Sequence, residues 1–334
     1  MNNIYKILFV LIGGFIGAGF ASGQEILIFF NKYGLGGFYG IIVSGFIFSI
    51  TIYKVFSICL KYNINNYEDF LYELNFFSKF KPSIISIFKF IVNAFLLVSF
   101  YVMVAGFSSF FYLQFNIPIL LTSSILCLVC YFLFNKNIES LINISTALIP
   151  LLILLICFIG IKQINFDIIS FNYELTRGWL ISSILYVSYN TILLVPLSIS
   201  LKNYLKNSKN IIYCSILIGF IIVFLSLILF IILMNHNLSD SELPMLNIAN
   251  NIDNIYKNIY CFVILSAIIT TLLSSGFTFV YNFNNKYLKK NILIFIMCFS
   301  AIFISNFGFS NLVNILYPFF GYLGFLQIAL ILIK

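Results

Sequence analysis

The chain has 334 residues, 62% of them hydrophobic and only 8% charged, with a mean hydropathy of +1.07. A soluble domain carries about 25% charged residues, so a soluble globular surface is excluded. The net charge of +8 is spread as single lysines between long apolar runs, without the basic face that nucleic acid requires. What remains is an all-α polytopic protein whose main partner is the lipid bilayer.

About ten apolar runs approach or exceed the ~20 residues that a helical span needs. They cover 4–31, 36–60, 83–112, 117–135, 138–161, 178–201, 210–234, 257–282, 291–307 and 310–333. A barrel would show ~10-residue alternating segments instead. The first run begins like a secretory signal, with Lys6 ahead of an apolar stretch and Ala21-Ser22-Gly23 as a small-residue site. Apolar sequence resumes at Ile26–Phe30, so it reads as a span that is kept.

That first run contains Gly13-Gly14-Phe15-Ile16-Gly17-Ala18-Gly19-Phe20-Ala21-Ser22-Gly23-Gln24-Glu25. Each glycine costs a helix about 1 kcal/mol relative to alanine, and five fall near mid-span. Two readings stand. The glycines let helices pack closely, or the helix unwinds, freeing amides around Ala21, Ser22 and Gly23 for a carboxylate and carbonyls for a cation. Glu25 favours the second. It lies about 10 Å past the midpoint at 1.5 Å per residue, and an acidic residue inside the membrane faces a cavity or a partner. It is expected to serve as an outer-gate, proton-coupling or amine-binding group.

Further along, 66–80 reads as an amphipathic interfacial helix. In the third span Asn93 and Tyr101 are two turns apart. Cys127 and Cys130 lie mid-span without His or carboxylate neighbours, so neither metal nor disulfide is implied. The sixth span carries the polar cluster Ser188-Tyr189-Asn190-Thr191, followed by Pro196, which lacks an N–H and weakens a helix. Residues 238–254 read as an outer loop with a short lid helix, and His236 as a solvated loop residue. The eighth span contains Thr270-Thr271-Leu272-Leu273-Ser274-Ser275-Gly276. Its hydroxyls either bond their own helix or hold an ion.

Lysines at or beside one set of span ends place the N- and C-termini in the cytoplasm under the positive-inside rule. Lys32, Lys162, Arg177 and Lys257 fall outside. The spans divide into halves, 1–161 and 178–334, joined by an extracellular connector at 162–177. Five spans is an odd number, so the second copy enters upside down: a 5+5 inverted repeat, the architecture of secondary transporters. Its first and sixth helices are expected to be broken.

The stretch Gly17-Ala18-Gly19-Phe20-Ala21-Ser22-Gly23-Gln24-Glu25 resembles the signature of the YkvI-like family of bacterial membrane proteins. That family is placed in the amino acid–polyamine–organocation superfamily and is similar in outline to LeuT-type transporters. The resemblance spans essentially the whole chain. It implies a bacterial cytoplasmic membrane location, a first-helix break at Gly17 and Gly19, and a third-helix contact to substrate by Tyr101. It also implies a sodium site from the Gly13 and Ile16 carbonyls with hydroxyls among Thr270, Thr271, Ser274 and Ser275. Phe20 stands where the pattern has a sodium-binding Asn, which weighs against a second ion.

The expected function is alternating-access transport of a small zwitterionic solute, an amino acid, coupled to Na⁺ or to H⁺ through Glu25. No other cofactor is implied, and oligomeric state is left open. The rival is an amino-acid-sensing receptor subunit of the spore-germinant type. No P-loop, His-Glu-x-x-His or Gly-x-Ser-x-Gly motif points to an enzyme, and no charge ring or repeated filter to a channel.

Overall fold

A computed structural model describes residues 3–74, 82–136, 138–163, 177–205, 207–236, 243–283, 289–307 and 309–334. Among them every regular element is helical. The first apolar run forms three pieces, α1 (Asn3–Phe15), α2 (Ala18–Ala21) and α3 (Gln24–Phe29). Then come α4 (Leu35–Lys61), the short α5 (Tyr67–Glu73), α6 (Pro82–Phe115), α7 (Ile119–Asn135) and α8 (Glu139–Gln163). The remainder is α9 (Trp179–Ser200), α10 (Ser208–Met234), α11 (Pro244–Ile252), α12 (Asn254–Asn282), α13 (Lys290–Ile304) and α14 (Phe309–Ile333).

Among the described residues, seven helices are long and apolar enough to cross a membrane: α4, α6, α8, α9, α10, α12, and α13 with its following turn. The 13-residue α1, the 17-residue α7 and the Phe320–Ile333 part of α14 are shorter apolar helices. Large apolar side chains face outward all round the bundle, among them Phe46, Phe90, Leu154, Phe220 and Phe295. Such a belt is stable against acyl chains and unfavourable in water.

The first span and α9 run antiparallel, as do α4 and α10, where Ser49 meets Gly219 and Gly45 meets Val223. The Ser182 hydroxyl at the start of α9 donates to the Phe29 carbonyl at the end of α3, while Leu197 near the end of α9 packs on Gly14 of α1. α4 and α10 cross so closely at Gly45 and Gly219 that a Cβ at Gly219 would lie 2.5 Å from the Gly45 carbonyl oxygen. The end of α7 meets the start of α13, where the Lys290 ammonium reaches the Lys136 carbonyl.

Lys54, Lys89, Lys136, Lys202 and Lys290 gather at one end. Lys202 donates to Asn63, Lys54 to the Leu332 carbonyl, and Lys89 pairs with Glu68 between α6 and α5. A vestibule of about 850 Å³ opens there, lined in part by Lys89, Lys136, Lys290 and Glu139. Lys32 and Arg177 sit at the opposite end, where Tyr33 packs on Gly178.

The amphipathic segment foreseen over 66–80 is helical as α5. Asn66 caps it by accepting the Asp69 amide, and 75–80 lie outside the described residues. The lid helix foreseen within 238–254 is α11, opened by Pro244 at its first position. That is where a missing N–H costs nothing. Residues 237–242 fall outside the description.

One expectation fails. The sixth span is not broken: α9 runs unbroken from Trp179 to Ser200 through Pro196. Its polar side chains bond their own helix, Ser188 to the Ile184 carbonyl, Asn190 to Tyr186, Thr191 to Ser188 and Ser198 to Leu194. This back-bonding satisfies the hydroxyls without unwinding.

Candidate functional site at the doubly broken first span

The first span breaks twice. α1 stops at Phe15, and Gly17 is extended, with φ −89° and ψ −177°. Its amide turns back to the Phe15 carbonyl at 2.9 Å. After one short turn of α2 the chain breaks again at Ser22-Gly23. Gly23 has φ +84°, a left-handed conformation that costs a Cβ-bearing residue ~1–2 kcal/mol. The breaks are packed in aromatic rings. Tyr186 of α9 sits among Phe15, Phe29, Phe30 and Phe48, with centroids 4.9–6.3 Å away.

Each free group left by the breaks can be followed. The amides of Ala21, Ser22 and Gly23 bond Gly17, Ala18 and Phe20 carbonyls. The Ser22 hydroxyl donates to Gly19. These residues, expected to hold a carboxylate, are therefore occupied. The amides that open α2, those of Ala18, Gly19 and Phe20, have no helical carbonyl one turn back because Gly17 is extended. The chain does break at Gly17; the amides that open there lie about three residues before Ala21–Gly23, where a carboxylate was expected.

On the carbonyl side, Thr271 of α12 stands with its hydroxyl oxygen 3.0 Å from both the Gly13 and the Ile16 carbonyl oxygens. A hydroxyl carries one proton, so the two carbonyls share one donor, and the three oxygens form a cluster of the kind that ligates a hard cation. Ser274, one turn along, packs on Gly14, and its fully buried hydroxyl has no partner among the described residues. The Thr270 and Ser275 hydroxyls turn away from the break, although the Thr270 Cβ packs on Gly13. The two hydroxyls bond Ser266, Ala267, Thr271 and Leu272 carbonyls.

Glu25 is 1% exposed and faces inward, with the Tyr189 hydroxyl donating to its Oε1 at 3.4 Å. The buried carboxylate thus ties the outer piece of the first span to α9. Tyr260 of α12 closes the same end by donating to the Ala21 carbonyl at 2.5 Å. Above them lies α11. The Met245 amide donates to the Ser22 carbonyl, and a Cβ on Gly23 would lie 2.9 Å from the Met245 side chain.

Between the break, α6 and α9 lies a cavity of about 30 Å³, lined by Gly14, Gly17, Ser99, Tyr189, Asn190 and Thr271 among others. That holds about two waters and no larger solute, so the centre is closed in this conformation. Of the expected α9 cluster, Tyr189 and Asn190 line it. Ser188 instead meets α14, whose Gly324 lies against the Ser188 carbonyl. Tyr101 is turned away, its hydroxyl 2.6 Å from Ser300 of α13; Asn93 is buried on α6 and does not line the cavity. Tyr260, Phe95 and Phe320 belong to the site and were not picked out from sequence. Among 21 tyrosines and 41 phenylalanines nothing local marks them.

No protein-family profile matches the chain. Two Bacillus subtilis (strain 168) proteins are similar to it over nearly its whole length. The uncharacterized membrane protein YkvI is 26% identical, with 98% of this chain and 95% of that protein covered. The uncharacterized protein YyaD is 24% identical, with 98% and 96% covered. Among solved structures, the manganese transporter of Eremococcus coleocola superimposes with a TM-score of 0.61 at 13% identity, over 90% of this chain and 69% of that one. Its complex with an aromatic bis-isothiourea compound gives the same score at 12% identity, over 98% and 76%. The chain is thus a multi-pass membrane protein that resembles YkvI along its length and shares its fold with a solute transporter.

Proposed function

We propose that this protein is a secondary transporter of a small zwitterionic solute, an amino acid, working by alternating access around the first-span break. The observation that carries the reading is the arrangement at the break: the amides that open α2 after extended Gly17, carbonyls of Gly13 and Ile16 facing Thr271, and buried Glu25 within reach of Tyr189. Polar groups gathered at one place in the low-dielectric interior of a membrane are what a polar solute needs to meet there. The amides of Ala18–Phe20 bind the solute carboxylate, while Tyr189 and Asn190 meet its other end. Na⁺ sits between Gly13, Ile16 and Thr271, with Ser274 as a further oxygen. The antiparallel pairing of corresponding helices supports a 5+5 inverted repeat, and the lysine-rich end fits the cytoplasmic side. The vestibule there, with α11 closed over Gly23 at the other end, corresponds to a conformation shut towards the outside.

The fold neighbour is a manganese transporter, which makes Mn²⁺ the alternative cargo. Among the described residues no three His, Cys, Asp or Glu side chains gather to hold a metal ion. Among the described residues Glu25 is the one buried carboxylate. The carbonyl and hydroxyl oxygens gathered at the break suit Na⁺ and a hard divalent cation alike, so the solute test includes Mn²⁺.

The test is thermal stability of the purified protein with single amino acids, in Na⁺ or with choline replacing it, followed by uptake into proteoliposomes. A ligand that binds only the folded protein, at 100 times its Kd, stabilises it by about 2.7 kcal/mol. Na⁺-dependent stabilisation and accumulation are expected. Uptake of Glu25→Gln is expected to lose its pH dependence if protons are carried as well. Binding without accumulation would support a receptor, and stabilisation by Mn²⁺ alone would overturn the organic-solute reading.

A further inference from the structure

Behind the central cavity lies a second, drier one between α6, α9 and α14, lined by Phe88, Val92, Ile192, Leu323 and Gln327. Phe95 and Phe320 line both cavities. Their rings meet edge to face at 4.4 Å and form the wall between them. Gln327 is 1% exposed, and neither its Oε1 nor its Nε2 has a hydrogen-bond partner among the described residues. The cavity has no room for a water. An amide with both ends buried and unsatisfied is expensive, and every other lining side chain named here is apolar.

We propose that Gln327 is the specificity residue for the solute's side chain. On this inference, which rests on the transporter reading, Phe95 and Phe320 part when solute enters and the two cavities become one pocket. The solute's carboxylate and amine stay at the break. Its side chain passes between the two rings, and its tip ends on the Gln327 amide. That amide offers one acceptor and two donor hydrogens, whereas an apolar tip would leave them unpaired and a charged tip would be desolvated without a counter-ion. The preferred class is therefore an amino acid with an apolar or aromatic body and an uncharged hydrogen-bonding end, a hydroxyl or a carboxamide.

The experiment compares solutes that differ only at the tip, tyrosine against phenylalanine and glutamine against methionine, by competition for uptake in proteoliposomes and by thermal shift. Wild type is expected to prefer the polar member of at least one pair by roughly tenfold or more, since a site built for a hydrogen bond rejects the analogue that lacks it. Gln327→Met should bring that ratio close to one while keeping the apolar member's binding. The same variant without ligand should melt at the same temperature or higher, because it removes unsatisfied polar atoms. A lower melting temperature would make Gln327 a structural residue and overturn the proposal, as would an unchanged ratio or a wild type indifferent to the tip. Binding of amino acids without tip preference sinks this inference alone. Failure of every amino acid to bind sinks the transporter reading and this inference with it.

Discussion

The first span and α9 run antiparallel against one another, and both carry small and polar residues in mid-run, yet one is broken twice and the other is unbroken. The difference lies in where each polar group finds its partner. In α9 the Ser188, Thr191 and Ser198 hydroxyls each bond a carbonyl three or four residues back on the same helix, and Pro196 is absorbed without a break. Gly17, with no side chain to bond or pack, takes an extended conformation. The first span then depends on another helix, with Thr271 and Tyr260 of α12 supplying the donors. A break survives in a membrane where tertiary partners replace the lost helical bonds.

The largest expected effect comes from forcing that break to accept a side chain. Gly23→Ala combines a left-handed backbone with a Cβ 2.9 Å from Met245 and 3.0 Å from Leu233. Strain and overpacking together should cost roughly 2–4 kcal/mol, read as a large fall in melting temperature. Gly17→Ala is the control. Its φ is −89° and its Cβ would meet nothing closer than 3.7 Å, so it should fold with near-normal stability. Equal stability of the two variants would refute the second break.

Next in size is Thr271→Val, which keeps the volume and deletes the hydroxyl between the Gly13 and Ile16 carbonyls. Leaving buried carbonyls unpaired costs about 1–3 kcal/mol, and the variant should also lose any dependence of melting on Na⁺. Thr270→Val, one residue away with its hydroxyl bonded to its own helix, should retain that dependence. Tyr260→Phe follows at about 1 kcal/mol. It frees the Ala21 carbonyl at the end covered by α11, and it should speed exchange of the amides around Ser22 while leaving the Na⁺ response intact.

How far these features were legible depends on the range of the physics that sets them. Span positions and the grouping of lysines are one-dimensional signals, and α4, α8, α9 and α10 begin and end within about two residues of the hydropathy runs. The weakness of the first span was legible from its glycines, and Glu25 from its charge. Which peptide groups would be left free was not, because glycine spacing marks a weak helix without fixing the φ of each residue. The unbroken α9 was misread for a related reason: a Ser-Tyr-Asn-Thr cluster before a proline looks the same whether its hydroxyls turn outward or back. Tyr260, Phe320 and Gln327 gain meaning only from neighbours that are distant in sequence.

The smallest expected effect gives the finest test of the comparison. Ser188→Ala deletes one buried hydroxyl from α9, as Thr271→Val deletes one from α12. The Ser188 hydroxyl donates to the Ile184 carbonyl, which the backbone amide of Ser188 also reaches in a regular helix. Its loss therefore strands nothing and should change stability by no more than about 0.5 kcal/mol, with uptake unaffected. A matching loss for the two variants would mean that hydroxyl position is irrelevant and that the first span is not held open from α12. Unchanged stability with impaired uptake would carry a different meaning. Ser188 would then serve a state in which α9 itself opens, and the second break foreseen from the sequence would belong to the transport cycle rather than to this conformation.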